Sequence, residues 1–224
     1  PIFVYGIFIN SVVSVGRYIL ELYTDETTLG LYASVSTISV IVQSFCSFVF
    51  GALNGVFTDS VAKNDKKKVG KLIAVNSALI ACIVAAGFVC SFLLGEFALV
   101  FGEEILVMKD QLYPTILFSG LLSLAWLLAM VLTILRDNLT LLIGAVSAFA
   151  LNLVLCLTLA PEIGCEGINI GAISAFTAFI FGPTFLTGCK SHCCCQYGSK
   201  EIKFLHMQFL YVLSGSQSNN KSQH

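Results

Sequence analysis

Asn10, Ser14, Arg17 and Glu21 follow one another at steps of four, three and four residues. A helix stacks residues at those steps on one face. Arg17 is preceded by sixteen uncharged residues and followed by the acids Glu21, Asp25 and Glu26. A guanidinium binds phosphate or carboxylate through two parallel hydrogen bonds. Arg17 therefore has two readings. Near the end of an apolar run it can reach the membrane interface as an anchor paired with Glu21. Turned inward, it lends positive potential to a cavity. A second stripe runs through Ser36, Ser39, Gln43, Ser47, Asn54 and Thr58, interrupted by Phe50. Polar stripes on apolar helices face other helices or a watery cavity rather than lipid. Arg17, Asn10, Ser14 and Gln43 are the candidate substrate-binding residues.

These stripes lie in a chain built for a bilayer. Of 224 residues, 57% are hydrophobic and 11% charged, against about 25% charged in a soluble domain. The fold class expected is an all-α integral membrane bundle. A span needs roughly 20 mostly apolar residues, and six runs qualify: 2–20, 30–58, 72–94, 114–135, 139–160 and 167–189. Residues 190–224 form a tail expected to be cytoplasmic and partly disordered, with "FLHMQFLYVL" (204–213) a candidate interfacial helix. The segments 63–71, 136–138 and the tail hold ten of the twelve Lys and Arg residues, whereas 21–30, 95–110 and 161–167 hold nine of the thirteen acids. The basic side is cytoplasmic by the positive-inside rule, and six spans then put both ends of the chain there. The spans contain no Glu, and their one Asp, Asp59, stands at the margin of the second. A cavity built from them is neutral to cationic and favours an anionic substrate.

Small residues mark expected helix contacts: Gly51 with Gly55, Gly167 with Gly171, and the row Gly144, Ala148, Asn152. Pro183, after Gly182, is expected to kink the last span. Cys46, Cys82, Cys90 and Cys156 sit inside apolar runs as small hydrophobes, and Cys165 falls in an outer loop without a partner, so no disulfide framework is expected. His192 with Cys193, Cys194 and Cys195 lacks the usual zinc spacing, and no metal site is expected. Asn138-Leu-Thr140 is a glycosylation sequon on the cytoplasmic side, expected to stay unmodified. The chain begins at Pro1 with no basic region before its first apolar run, which reads as a fragment with sequence missing upstream.

"GRYIL" followed by "LGLYASVSTISVIV" resembles the start of the C-terminal half of polysaccharide flippases, in the MOP (MATE-like) exporter superfamily. There an Arg-bearing helix, a short outer loop and a "(L/V)G-x-Y" opening follow in order, here Leu29, Gly30, Leu31 and Tyr32. "VAKNDKKKVGKL" resembles the family's basic loop, and "LLGEFALVFGEEI" its outer segment. The most specific stretch is "ILRDNLTLLIGAVSAFALNLVLCLTLAPEIGCEGINIGAISAF", with a central Asn (Asn152), then Leu159 and Pro161, and a turn from Gly164 to Gly167. The resemblance covers residues 1 to about 189. Where the family often has an acid before the arginine, this chain has Gly16.

The resemblance implies half of a two-bundle, pseudo-symmetric transporter. It would move lipid-linked oligosaccharide across a bacterial cytoplasmic membrane by alternating access, in lipopolysaccharide or capsule synthesis. The implied partners are that substrate, the bilayer and a missing N-terminal six-helix half. Two other readings compete. A drug or cation antiporter of the same superfamily needs an intramembrane acid, and none lies deep in these spans. A non-transporting subunit or nonfunctional truncated product needs no continuous polar cavity. No nucleotide loop, zinc motif or nucleophile constellation is present, so neither an enzyme, a cofactor nor a nucleic-acid partner is expected.

Overall fold

The computed structural model describes residues 2–63, 65–92, 103–134 and 136–193. Six long helices lie over the six apolar runs: α1 (Ile2–Tyr23), α2 (Glu26–Ala62), α3 (Lys66–Ser91), α4 (Lys109–Ile134), α5 (Asn138–Ile163) and α6 (Cys165–Cys193). A 3-10 turn, Glu103–Met108, leads into α4. All six are long and apolar enough to cross a membrane, and the chain is an all-α, multi-pass membrane protein. The interfacial helix expected at 204–213 and the cysteines at 194 and 195 lie outside the described residues. α6 runs through Pro183, whose side chain lies outside them too.

Aspartates set three helix starts. Asp25 accepts from the Thr28 amide (3.1 Å) and hydroxyl (2.7 Å). Asp137 does the same with Thr140 at 3.2 and 2.8 Å, and Asp65 accepts from the Lys68 amide at 3.0 Å. Each satisfies amides that a helix start leaves unpaired. The Thr28 hydroxyl, and then its amide, hold the Asp25 carboxyl below its ordinary range. Asp65 and Asp137 are two of the four acids outside the acidic segments, and a third, Asp59, pairs with Lys63 at 2.8 Å. These acids are there to cap and pair, so they do not weaken the charge division between the two ends of the bundle.

The turn from α4 to α5 is a Schellman motif. The Asp137 amide donates to Leu132 O and the Arg136 amide to Thr133 O, both at 3.0 Å, with Arg136 in the left-handed region at φ 59°. Between α5 and α6 a single residue suffices: Gly164, at φ 56°. Cys165, expected in a loop, instead opens α6 and is buried. One residue of positive φ reverses the chain, so no loop is left to hold it.

The helices form two groups of three. α1 packs on α5 and α5 on α6; α2 and α3 pack on α4; α4 and α6 join the groups. Ile9, Val12, Cys46, Phe57, Leu122, Phe176 and Phe179 fill the main core. The α5–α6 hairpin is the tightest contact. A Cβ on Gly167 would lie 2.7 Å from the carbonyl carbon of Leu159. The row Gly144, Ala148, Asn152 faces inward, with Gly144 against the Phe179 ring. Pro161 stands in the last turn of α5, where it withholds one amide from the carbonyl a turn earlier just before the helix ends.

Candidate functional site

α1 has two unlike faces. Ile9, Val12, Gly16, Ile19 and Leu20 are buried against the bundle. Asn10, Ser14, Arg17 and Glu21 are all exposed on the other side. The stripe is one face of α1, and that face points away from the five other helices. Phe3, Gly6, Ile7, Asn10, Ser11 and Ser14 line an open groove of about 500 Å³, with the Asn10 amide tied back to Gly6 O at 2.8 Å. Arg17 lies about one turn beyond it. The expected Arg17–Glu21 ion pair is not formed; among the described residues the ion pair is Lys63 with Asp59. With the cation N-terminal to the acid, the order is the weaker one for a pair four apart.

The stripe on α2 is divided. Ser36 and Ser39 are buried, with Ser39 O accepting from the Ser119 hydroxyl of α4 at 3.0 Å. Gln43 is half-buried, and Ser47, Asn54 and Thr58 are exposed. One helical face is thus covered near the α1–α2 turn and open farther along, because α1 and α2 touch only sparingly. The outward side of α2 also carries Gly30, Thr37, Ser44, Gly51 and Gly55, all exposed. Gly51 and Gly55 were expected at a contact; instead a Cβ on either meets no atom within 4 Å. Val42, Cys46 and Phe57 of α2 turn toward the bundle, while Ile41, Phe45 and Phe48 stand outward beside the small residues. Ser47 and Thr58 donate to carbonyls of their own helix, Gln43 O and Asn54 O, both at 3.0 Å.

The four candidate residues are not gathered into one pocket. Asn10 and Ser14 share a groove, Arg17 follows on the same face, and Gln43 stands on another helix and does not line that groove. The other residues singled out are framework. Asn152 is fully buried and donates to Val12 O of α1 at 3.0 Å. Gly167 and Gly171 admit the close approach of α5, with Asn152 Oδ1 3.2 Å from a Cβ built on Gly171. Gly16, the departure from the family pattern, meets the Ile168 side chain at 2.5 Å from its own built Cβ. An acid there would collide with α6.

Sequence reasoning missed a buried polar chain. The Tyr32 hydroxyl donates to Asn169 Oδ1 (2.9 Å), and Asn169 Nδ2 donates to Gln111 Oε1 (2.8 Å). All three residues are buried, and together they tie α2, α6 and α4 near the acidic end. Buried polar groups need such partners. Tyr32 stood out only as part of a motif, and Gln111 lay outside the expected fourth span.

The structure thus offers polar stripes, with Arg17 and Glu21 on the one along α1, among exposed apolar residues such as Phe3, Tyr18 and Phe48, over a framework clamped from within. Set against known proteins, this chain matches no family model, no curated protein and no solved structure.

Proposed function

We propose that this chain is one half of a two-bundle transporter that moves lipid-linked oligosaccharide across the cytoplasmic membrane by alternating access. The observation that carries the reading is the outward polar face of α1 and α2: Asn10, Ser14 and Arg17 with Thr37, Ser44, Ser47, Asn54 and Thr58, all exposed. Hydrocarbon is a poor solvent for such a face. A second bundle closing over it converts an unfavourable surface into a hydrated path. The interior of this bundle is filled by packed apolar side chains and by polar ones bonded to one another or to backbone, so the path runs between halves. Arg17 then meets the pyrophosphate, and Asn10, Ser14 and Gln43 supply neutral polar contacts. The end bearing Lys63, Lys67, Lys68, Lys71 and Arg136 faces the cytoplasm.

The same face would serve a non-transporting subunit equally well as a docking surface. One experiment separates the two. The gene is deleted and lipid-linked oligosaccharide is quantified on each leaflet. Build-up on the cytoplasmic leaflet, reversed by wild type and poorly by Arg17→Ala, supports transport with Arg17 in the path. Reversal by Arg17→Ala makes the arginine an anchor. No build-up refutes the flippase, and new sensitivity to cationic drugs would then point to the antiporter.

A further inference from the structure

A second groove lies on the opposite flank of α2 from the polar stripe. Ile41, Phe45, Ile83, Ala86, Cys90 and Leu112 line it between α2, α3 and α4, enclosing about 350 Å³. Gln43 and Phe45 point nearly opposite ways, since 3.6 residues make a turn. Its floor is closed at Gly87, where a Cβ would lie 3.3 Å from both Ile116 and Val42. Phe45 is 60% exposed and Cys90 is exposed, so the groove opens sideways, onto the surface that the spans present to the bilayer.

Its dimensions and its upper rim identify the occupant. From Ile83 to Ser91 the groove runs about 12 Å along α3 at 1.5 Å per residue. That is close to the ~15 Å of hydrocarbon in one leaflet. The groove ends at the start of α4, where Lys109 is exposed. Lys109, Leu112 and Ile116 fall at i, i+3 and i+7, one helical face. Lys109 is the one lysine in the acidic segments; it stands one helical turn before Leu112 of the lining, with Asp110 exposed beside it.

We propose that this groove seats one acyl chain of a phospholipid from the leaflet at the α3–α4 end, with the lipid phosphate meeting Lys109. Hydrocarbon gains no hydrophobic stabilisation by leaving other hydrocarbon. Retention therefore comes from the fit of the chain against the walls and from the charge at the rim. This inference rests on the membrane fold alone and stands whether or not the chain is a flippase.

The test uses the full chain in nanodiscs of phospholipid, a fraction of which carries a photoreactive diazirine within an acyl chain. Crosslinks are mapped by peptide sequencing. Enrichment is expected at Phe45, Ile83 and Cys90 relative to Val154 and Leu157, which are exposed on α5 in the same half of the bundle. Ala86→Trp fills the slot and removes the enrichment, and Lys109→Gln lowers it. Retained labelling at Val154 and Leu157 shows that the variant is folded. Should Ala86→Trp not fold, Phe45→Ala removes one wall at an exposed position and also lowers the enrichment. Equal labelling of both sets, or enrichment that survives these substitutions, overturns the proposal. So does enrichment seen only with a photoreactive polyprenyl phosphate, which would make the occupant an isoprenoid tail.

Discussion

Gly167→Ala forces α5 and α6 apart at a point where neither backbone can give. The new Cβ would stand 2.7 Å from Leu159 C, 2.8 Å from Leu159 O and 2.9 Å from Ala160 N. Carbon pairs settle at about 3.5–4.0 Å, so the hairpin must open locally by about 0.8 Å. Overpacking of this kind costs about 1–3 kcal/mol. Alanine returns about 0.5–1 kcal/mol through its better helix propensity. Because all three close atoms are backbone, the upper part of that range applies, about 2–3 kcal/mol, and the expected net loss is about 1–2.5 kcal/mol. Gly55→Ala makes the same chemical change on α2, where no atom lies within 4 Å, and is expected to be neutral or up to about 1 kcal/mol stabilising. Gly171→Ala falls between, because its nearest neighbour at 2.8 Å is the Cys156 sulfur, the end of a side chain. Reversible unfolding of the full chain in bilayers, followed by steric trapping, reads all three. Equal losses for Gly55→Ala and Gly167→Ala, or a Gly167→Ala loss below ~0.5 kcal/mol, would refute the reasoning. If the outer face of α2 docks a second bundle, Gly55→Ala should impair transport while sparing this stability.

Tyr32→Phe should cost about 0.6 kcal/mol, a usual value for one interhelical bond in a membrane. Asn169→Leu, which strands both Tyr32 and Gln111, should cost about 1–3 kcal/mol; a double-mutant cycle with no coupling would dissolve the chain as a unit. Arg136→Gly relieves a left-handed backbone at a residue other than glycine, less the added freedom of the unfolded chain, for a gain of roughly 0.5–1 kcal/mol; an unchanged or lowered thermal midpoint argues against it. The lowered Asp25 pKa means that its capping contribution is present above the ordinary carboxylate pKa and is lost as pH falls through the lowered value. The NMR midpoint of its carboxyl should therefore lie below that of an unstructured peptide and rise in Thr28→Val, since the Thr28 hydroxyl is the largest cause.

The six helices were legible because length and apolarity alone demand them. So was the inward row of Gly144, Ala148 and Asn152, since one helix fixes which of its residues share a face. What a face looks at was not legible. Gly51 with Gly55 and Gly167 with Gly171 have the same spacing, yet one pair meets open space and the other meets backbone. Only the placement of neighbouring helices distinguishes them. The chain through Tyr32, Asn169 and Gln111 joins residues 137 and 58 positions apart, beyond any local periodicity. The polar stripe on α1 was legible as a stripe, and its outward direction was set by what the rest of the helix buries.

The pairing of α1 with α5 has a consequence for biosynthesis. The Val12 carbonyl and the Asn152 amide that hold these helices together are 140 residues apart. Translation proceeds at about 5–20 residues per second, so the partner of α1 emerges roughly ten seconds after α1 itself. For that interval α1 sits in the membrane without the helix it packs on most closely. The tight α5–α6 hairpin, turned on a single glycine, follows α4 and completes the packing of α1.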